Sequence, residues 1–171
     1  AILISLLITP PPADAQASQR TAHQAAIAEF QARAQAFARL HERLAREAGA
    51  LDETKSQAEI AQRAARLGDA LRAARANAQP GDIFTPAASR VLRDVIRREY
   101  RSRPPGVKES RQDAQEEVPD FVPTVNARYP TAFPLGTFPA SLLKVLPALP
   151  PPLEYRIVTH YLILRDVEAN L

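Results

Sequence analysis

Apolar residues recur along residues 27–51 at alternating spacings of three and four, the seam pattern of a helix that packs on another helix. Glutamine, arginine and glutamate fill the positions between them, as expected for the solvent-facing side of such a helix. The pattern predicts a first helix over about residues 19–48, ended by Gly49. The seam consists of Ile27, Phe30, Ala34, Phe37, His41, Leu44, Ala48 and Leu51.

A second helix is predicted after a capping box, Ser56-Gln57-Ala58-Glu59, in which the Ser56 hydroxyl accepts a hydrogen bond from a free backbone N–H. Pro80-Gly81 is expected to end this helix. Because the link between the two helices is short, we expect them to run antiparallel as a hairpin. The apolar positions of the second helix repeat the seam rhythm at Ile60, Ala64, Leu67, Leu71, Ala74 and Ala78.

Thr85-Pro86 predicts the start of a shorter third helix, since threonine is a good N-cap and proline is tolerated at the first helical position. One apolar stripe follows, and we expect it to pack over the open side of the hairpin, which makes a three-helix unit. The stripe consists of Ala88, Val91, Leu92, Val95 and Ile96.

The region from Pro104 to Pro152 holds 11 of the 16 prolines and is predicted to contain little regular structure. Residues 104–120 have the composition of a disordered linker. Residues 121–129 are predicted to form an extended edge segment, because a proline within them excludes a central strand. Residues 139–146 are predicted to form a short helix with proline in its first turn.

Residues 153–166 are rich in β-branched and aromatic side chains, which favour strands. A single strand of this length would be unusual, so we predict a hairpin that turns near Thr159-His160. A further turn is expected just before Leu171, where Asn170 tolerates a positive φ. The predicted cross-strand pairs are Ile157 with Leu162 and Tyr155 with Leu164.

These elements predict a mainly α protein: an antiparallel helical hairpin plus a third helix, with a small C-terminal antiparallel β hairpin or meander, α+β overall. The expected organisation begins with a partial signal peptide at residues 1–17 and the three-helix unit at residues 18–103. A disordered linker at residues 104–120 leads to a proline-rich segment with the short helix and β hairpin at residues 121–171. We expect the natural chain to continue beyond Leu171.

The first residues, AILISLLITPPPADAQA, are typical of the end of a signal peptide. Their apolar run is far shorter than the roughly 20 residues that a membrane-spanning helix needs. Two small-residue cleavage patterns follow, at residues 13–15 and 15–17. The alternative is a buried N-terminal strand. The signal-peptide interpretation predicts export to the periplasm or the cell exterior.

Composition restricts the chemistry of the chain. The absence of cysteine excludes disulfides and thiolate metal sites within it. Lysine and arginine total 22 against 19 acidic residues, a net charge of +3. A basic face on the third helix is a candidate contact for anionic envelope surfaces, whereas nucleic acid is not expected, since no aromatic residues interleave to stack on bases. This face consists of Arg90, Arg93, Arg97 and Arg101.

Candidate catalytic and metal-binding residues are few. His41-Glu42 begins like the H-E-x-x-H zinc helix, but Ala45 occupies the second ligand position. His23 and His41 lie about 27 Å apart along one helix and cannot share an ion. The chain has no G-x-S-x-G motif and no glycine-rich phosphate loop. We therefore expect no enzyme activity, cofactor or metal; His41 is expected to set helix register or face the partner helix, and His160 to occupy a turn.

The ending LPPPLEYRIVTHYLILRD resembles the tails of small exported bacterial proteins of unknown function, and it is similar to the periplasmic nickel/cobalt-homeostasis family over that stretch alone. The resemblance implies a periplasmic accessory role and carries over no functional residue.

The leading hypothesis is a non-enzymatic exported envelope protein whose helices bind a protein partner or a second copy. The alternatives are a periplasmic small-ligand or metal-homeostasis factor, with binding at the β meander, and a hydrolytic enzyme. The proposed interaction seam consists of Ile27, Phe30, Phe37, His41 and Leu44.

Overall fold

A computed structural model describes residues 13–48, 56–102, 122–130 and 138–171. Residues 1–12 of the expected signal peptide, the Gly49 helix stop and the linker at residues 104–120 lie outside the described residues. The predicted fold class is confirmed: long helices precede a small C-terminal antiparallel hairpin. The elements are α1 (Ala13–Glu47), α2 (Gln57–Ala74), α3 (Pro86–Arg101), α4 (Ala140–Val145), β1 (Leu153–Val158) and β2 (Tyr161–Asp166).

Helix α1 begins at Ala13, earlier than the predicted start near residue 19. Alanine is the best helix former, and Asp14 in the first turn interacts favourably with the helix dipole, so the small residues favour helix here. Residues 16–25 of α1 are exposed, whereas the buried side of the helix follows the predicted seam. Its buried residues are Ala26, Phe30, Ala34, Phe37, Ala38 and His41.

Both predicted N-caps are confirmed. The Ser56 hydroxyl accepts a hydrogen bond from the backbone N–H of Glu59, and the Thr85 hydroxyl accepts one from the backbone N–H of Ala88. Each side chain satisfies one of the four N–H groups that lack a partner in the first turn of a helix. The two helix starts are therefore encoded locally.

Helix α2 ends at Ala74, before the predicted stop at Pro80-Gly81. In a continuing helix the N–H of Gln79 would donate to the carbonyl of Arg75, but it donates to the Asp82 carboxylate at 2.9 Å instead. The Arg75 carbonyl accepts from the Asn126 side-chain amide at 2.6 Å. These polar contacts explain the earlier end of the helix.

The predicted antiparallel arrangement of α1 and α2 follows from the contacts that α2 and the residues after it make with α1. In the second half of α2, Leu67 packs in the same cluster as Leu44 near the C-terminal end of α1. Just after α2, the guanidinium of Arg75 lies over the ring of Phe37. Further on, Arg33 donates to the carbonyl of Asp82 at 2.7 Å. The chain therefore returns toward the N-terminal end of α1.

Two apolar clusters form the core among the residues that the structure describes, and α1 contributes to both. In the first cluster the Phe30 ring is fully buried, with its centroid 5.3 Å from that of Phe84 and 6.4 Å from that of Tyr155. Helix α3 packs on α1 and α4 around this cluster. Its buried members are Phe30, Ala88, Leu92, Leu142, Leu146 and Tyr155.

The second cluster joins the C-terminal half of α1 to α2 and to the residues that follow β2. Its buried members are Phe37, Leu67, Leu71 and Ala169. The backbones of α2 and the residues after β2 approach each other closely at Gly68, where an added Cβ would lie 3.0 Å from the Ala169 carbonyl oxygen. Residues 167–171, which we call the C-terminal tail, therefore lie directly on α2, and the described C-terminal residues share a core with the helices.

The C-terminal hairpin has the predicted register, with Ile157 opposite Leu162 and Tyr155 opposite Leu164. Thr159 takes a positive φ of 52° in the connecting turn, and Asn170 takes the same value in the turn after β2, as predicted for that residue. The sheet described has two strands rather than three.

The prediction of an extended segment at residues 121–129 is wrong for the described part, residues 122–129. The chain turns at Val125 and Asn126, and Asn126 has a φ of 62°. Its side chain donates to the Arg75 carbonyl and accepts from the Arg75 guanidinium, so this turn is held by α2 rather than by a sheet edge.

Candidate functional site

A groove of about 400 Å³ lies between β2, the loop at residues 79–84 and the segment at residues 123–130. Its walls are mainly apolar and include the half-buried residues Leu162, Ile163 and Leu164 of β2. Small-molecule sites have volumes of roughly 300–1,000 Å³ and are lined mostly by apolar side chains with a few polar groups. This groove is therefore the candidate ligand site of the described residues.

Polar contacts hold the 123–130 wall of the groove in place. Tyr129 donates its N–H to the Asn170 carbonyl at 2.9 Å, and the Asn170 amide donates to the Tyr129 carbonyl at 3.1 Å. The Arg128 guanidinium donates to Asp69 at 3.1 Å. With the Asn126–Arg75 pair, these bonds attach the segment to both α2 and the C-terminal tail. A wall fixed in this way reduces the ordering cost of ligand binding.

Arg75 places a half-buried guanidinium in this groove. Its Cζ lies 5.0 Å from the centroid of the Phe37 ring, a cation–π distance. Its Nη1 donates to Asn126 Oδ1 at 3.0 Å. Burial lowers the pKa of Arg75, and the negative charge of Asp82 opposes that effect. Arginine stays charged in proteins, so the groove contains a permanent cation.

Sequence reasoning placed binding at the β meander but did not single out Arg75. The residue carries no motif, and its neighbours in the groove come from distant parts of the chain. No local signal in the sequence would have found it.

The other polar cluster of interest lies around His41, which is 3% exposed. His41 Nδ1 lies 2.6 Å from Asp166 Oδ2, and His41 Nε2 lies 3.5 Å from Glu168 Oε2. The same Glu168 oxygen lies 3.5 Å from Arg63 Nη1. We call these four residues the His41 cluster. It joins α1 and α2 to the end of β2 and the C-terminal tail.

The expectation that His41 faces the partner helix is wrong, because its Nδ1 is directed at Asp166 in β2. Asp166 is itself nearly fully buried, and its Oδ1 accepts from the backbone N–H groups of Glu168 and Ala169 at 3.0 and 2.9 Å. A buried carboxylate with these three partners fixes where the C-terminal tail begins.

The two carboxylates determine the charge of His41. Burial alone would lower its pKa, but the hydrogen bond to Asp166 and the negative charges of Asp166 and Glu168 outweigh burial and raise the pKa. The protonated imidazole donates from both ring nitrogens and has no lone pair with which to accept a proton. The arrangement therefore fastens the tail to α1.

A pH dependence of stability is expected from this shift. A raised folded-state pKa means that His41 stabilises the fold fully below its unfolded pKa of about 6.5, and that this contribution is lost as the pH rises through the folded pKa. We expect the urea midpoint of the wild-type chain to fall more between about pH 6 and about pH 9 than that of a His41→Gln variant.

His23 supplies the matched control for this experiment, because it is exposed on the same helix. A His23→Gln chain should show the wild-type dependence on pH. A His41→Gln chain with the same dependence as the wild type would contradict the assignment of the effect to the His41 cluster.

The predicted interaction seam is largely covered by the chain itself. Phe30, Phe37 and His41 are buried, and Ile27 and Leu44 are half-buried. Ile27 and Phe30 belong to the cluster that includes α3, while Phe37 and Leu44 belong to the cluster that includes α2. The seam therefore serves the packing of this chain.

The predicted basic face of α3 lies in solvent. Arg90, Arg93, Arg97 and Arg101 are all exposed. Arg97 and Arg101 line a second cavity of about 300 Å³ together with His23, Asp94 and Arg98. Contact of this face with an anionic surface stays a prediction.

Exposed His160 occupies the hairpin turn, as predicted, with its ring centroid 4.2 Å from that of Tyr161. In residues 13–48, 56–102, 122–130 and 138–171, no group of three or more histidine, cysteine, aspartate or glutamate side chains is arranged to hold a metal ion. None of the helices described there combines the length and apolar character needed to cross a bilayer.

No protein-family model, curated protein or solved structure matches this chain. A function for the chain therefore has to be inferred from the geometry of its own residues.

Proposed function

We propose that this chain is an exported, non-enzymatic accessory protein that binds a small apolar ligand in the groove beside β2. The observation that carries the proposal is the groove itself: about 400 Å³, mainly apolar, with a wall attached by hydrogen bonds to α2 and the C-terminal tail. Export is supported by the signal-like residues at the start of the sequence.

Ligand binding is favoured over seam-mediated partner binding because of where the seam residues lie. Phe30 and Phe37, its largest side chains, already pack against other elements of the same chain. A partner could reach them only after α2, α3 or the hairpin moved away. The apolar residues of the groove, by contrast, line a cavity in the folded chain.

A non-enzymatic role is supported by the state of the buried histidine. His41 is the described histidine with the strongest polar contacts, and both of its ring nitrogens face carboxylates. A general base has to reach its substrate and to have a free lone pair. His41 is buried and does not meet the first requirement.

Filling the groove is expected to abolish ligand binding. Ala127 is half-buried and lines the groove, so an Ala127→Trp substitution places an indole where the ligand would lie. Calorimetric titration with octan-1-ol, a neutral apolar probe, is expected to show saturable binding to the wild-type chain and at least a tenfold loss of affinity in Ala127→Trp.

The matched control is Ala28→Trp, which adds the same side chain at an exposed position of α1 outside the groove. It should bind octan-1-ol like the wild type. Saturable binding that is unchanged by Ala127→Trp, or no binding to the wild type, would refute the proposal.

A further inference from the structure

We infer that the ligand of the groove is an apolar molecule bearing a carboxylate, and that the Arg75 guanidinium is the group that receives this carboxylate. This inference rests on the proposed ligand-binding function and adds to it the chemical class of the ligand. Its basis is the position of one cation inside a mainly apolar groove.

The charge of Arg75 is not matched by a contacting carboxylate among the described residues. Its hydrogen bond goes to the neutral amide of Asn126, and its ring contact is with Phe37. Asp82 is the carboxylate that acts on it electrostatically, yet the two groups form no ion pair. A half-buried cation in this situation attracts an anion more strongly than an exposed one, since water screens it less.

The geometry of the guanidinium suits a carboxylate. A guanidinium has five N–H donors in one plane, and the Asn126 contact uses one of its nitrogens. Its Cζ lies over the Phe37 ring, and an aromatic ring takes up none of the N–H donors needed for hydrogen bonds to a carboxylate. Arginine binds carboxylates through two parallel N–H···O bonds, an arrangement that a single ammonium group cannot reproduce.

The remaining charged residues of the groove already have partners. Arg128 is bound to Asp69, and Asp166 has three partners, His41 and two backbone N–H groups. Asp82 is exposed and accepts from the Gln79 N–H; its charge weakens the positive potential at Arg75 without contacting it. The charge available to a ligand is therefore the one on Arg75.

The apolar walls determine the rest of the ligand. The atoms that line the groove are mainly apolar, and they include atoms of β2; covering apolar surface with hydrocarbon stabilises a complex. A small inorganic anion would satisfy Arg75 but leave these walls uncovered. An apolar body attached to a carboxylate satisfies both.

The test compares octanoate, octan-1-ol and octylammonium, which share one chain and differ in head group. We expect the wild-type protein to bind octanoate at least tenfold more tightly than octan-1-ol, and octylammonium most weakly, by calorimetric titration near neutral pH. In Arg75→Gln the affinities for octanoate and octan-1-ol should become equal, because the variant has no cation to receive the carboxylate. Arg93→Gln, at an exposed arginine of α3 outside the groove, should retain the octanoate preference.

The outcomes separate the two proposals. Equal affinity for octanoate and octan-1-ol, unaffected by Arg75→Gln, would overturn the carboxylate inference and leave ligand binding standing. No binding of any probe would overturn both. Inorganic phosphate that displaced octanoate at equal concentration would show a plain anion site and also overturn the inference.

A second variant keeps the test decisive if Arg75→Gln unfolds, as judged by circular dichroism. Arg75→Lys keeps the charge and loses the planar fork. It should still prefer octanoate over octan-1-ol, but by less than the wild type does. Loss of all preference, with octan-1-ol binding intact, would count against the inference.

Discussion

An Asp166→Ala chain is expected to lose about 3–5 kcal/mol of unfolding free energy, the cost of removing one partner from a buried ion pair. Asp166 is 1% exposed, and His41 opposite it is 3% exposed, so water cannot replace the lost carboxylate. The substitution also leaves the backbone N–H of Ala169 without its acceptor in a buried position. Because small domains have only about 5–15 kcal/mol of stability, this variant should be close to unfolding at room temperature.

The measurement is urea unfolding followed by circular dichroism, with the wild type and an Asp94→Ala control. Asp94 is exposed on α3 and lies 3.9 Å from Arg97, so its removal should change the midpoint little. Asp166→Asn separates two contributions, because its amide oxygen can still accept from Glu168 and Ala169 while the negative charge opposite His41 is gone. We expect it to fall between the wild type and Asp166→Ala. A loss below about 1 kcal/mol in Asp166→Ala would show that the His41 cluster does not fasten the tail.

Phe30→Ala is expected to destabilise the chain by a similar amount, about 3–5 kcal/mol, through a cavity in the first core cluster. The Phe30 ring is fully buried and stacks between Phe84 and Tyr155, so it joins α1 to the start of α3 and to β1. Aromatic pairs of this kind add about 0.5–1.5 kcal/mol to the gain from burial. The elements that meet at this ring come from three parts of the chain and are not expected to close the cavity completely.

Urea unfolding also measures this effect, with two comparisons. Phe30→Leu keeps an apolar side chain and should lose clearly less stability than Phe30→Ala. Leu143→Ala, a large-to-small change at a side chain of α4 that is 55% exposed, should lose little. Equal losses for Phe30→Ala and Leu143→Ala would mean that the first cluster is not the stabilising core of the fold.

The groove and the His41 cluster both depend on the position of Asp166 and the C-terminal tail. Asp166 belongs to the cluster and also lines the groove, and Leu171 at the end of the C-terminal tail lines it as well. Asn170 of the same tail holds Tyr129 in the opposite wall. The fastening of the tail to α1 and α2 therefore sets the shape of the proposed ligand site.

Much of the local structure could be predicted because its causes lie within a few residues. The caps at Ser56 and Thr85 bond to N–H groups three residues ahead. The turn at Thr159 and the alternation of side chains along each strand set the register of β1 against β2. A shift by one residue would move the buried side chains to the opposite face of the sheet. The α1 seam identified the buried side of that helix from spacing alone.

The candidate site could not be predicted in the same way. Arg75 was not singled out because its significance depends on Phe37, Asn126 and the strand β2, which approach it only in the folded chain. The turn at Asn126 was predicted as extended because its sequence favours an edge strand, whereas the bonds to Arg75 favour the turn.

The sequence by itself determined where α2 and α3 begin, which side of α1 is buried and how β1 pairs with β2, because propensity, capping and side-chain periodicity act over a few residues. Only the tertiary structure decided that His41 meets Asp166, 125 residues away, and that a cation lies in an apolar groove. Such contacts depend on how separate elements pack, and local spacing in a chain carries no information about the partner across a core.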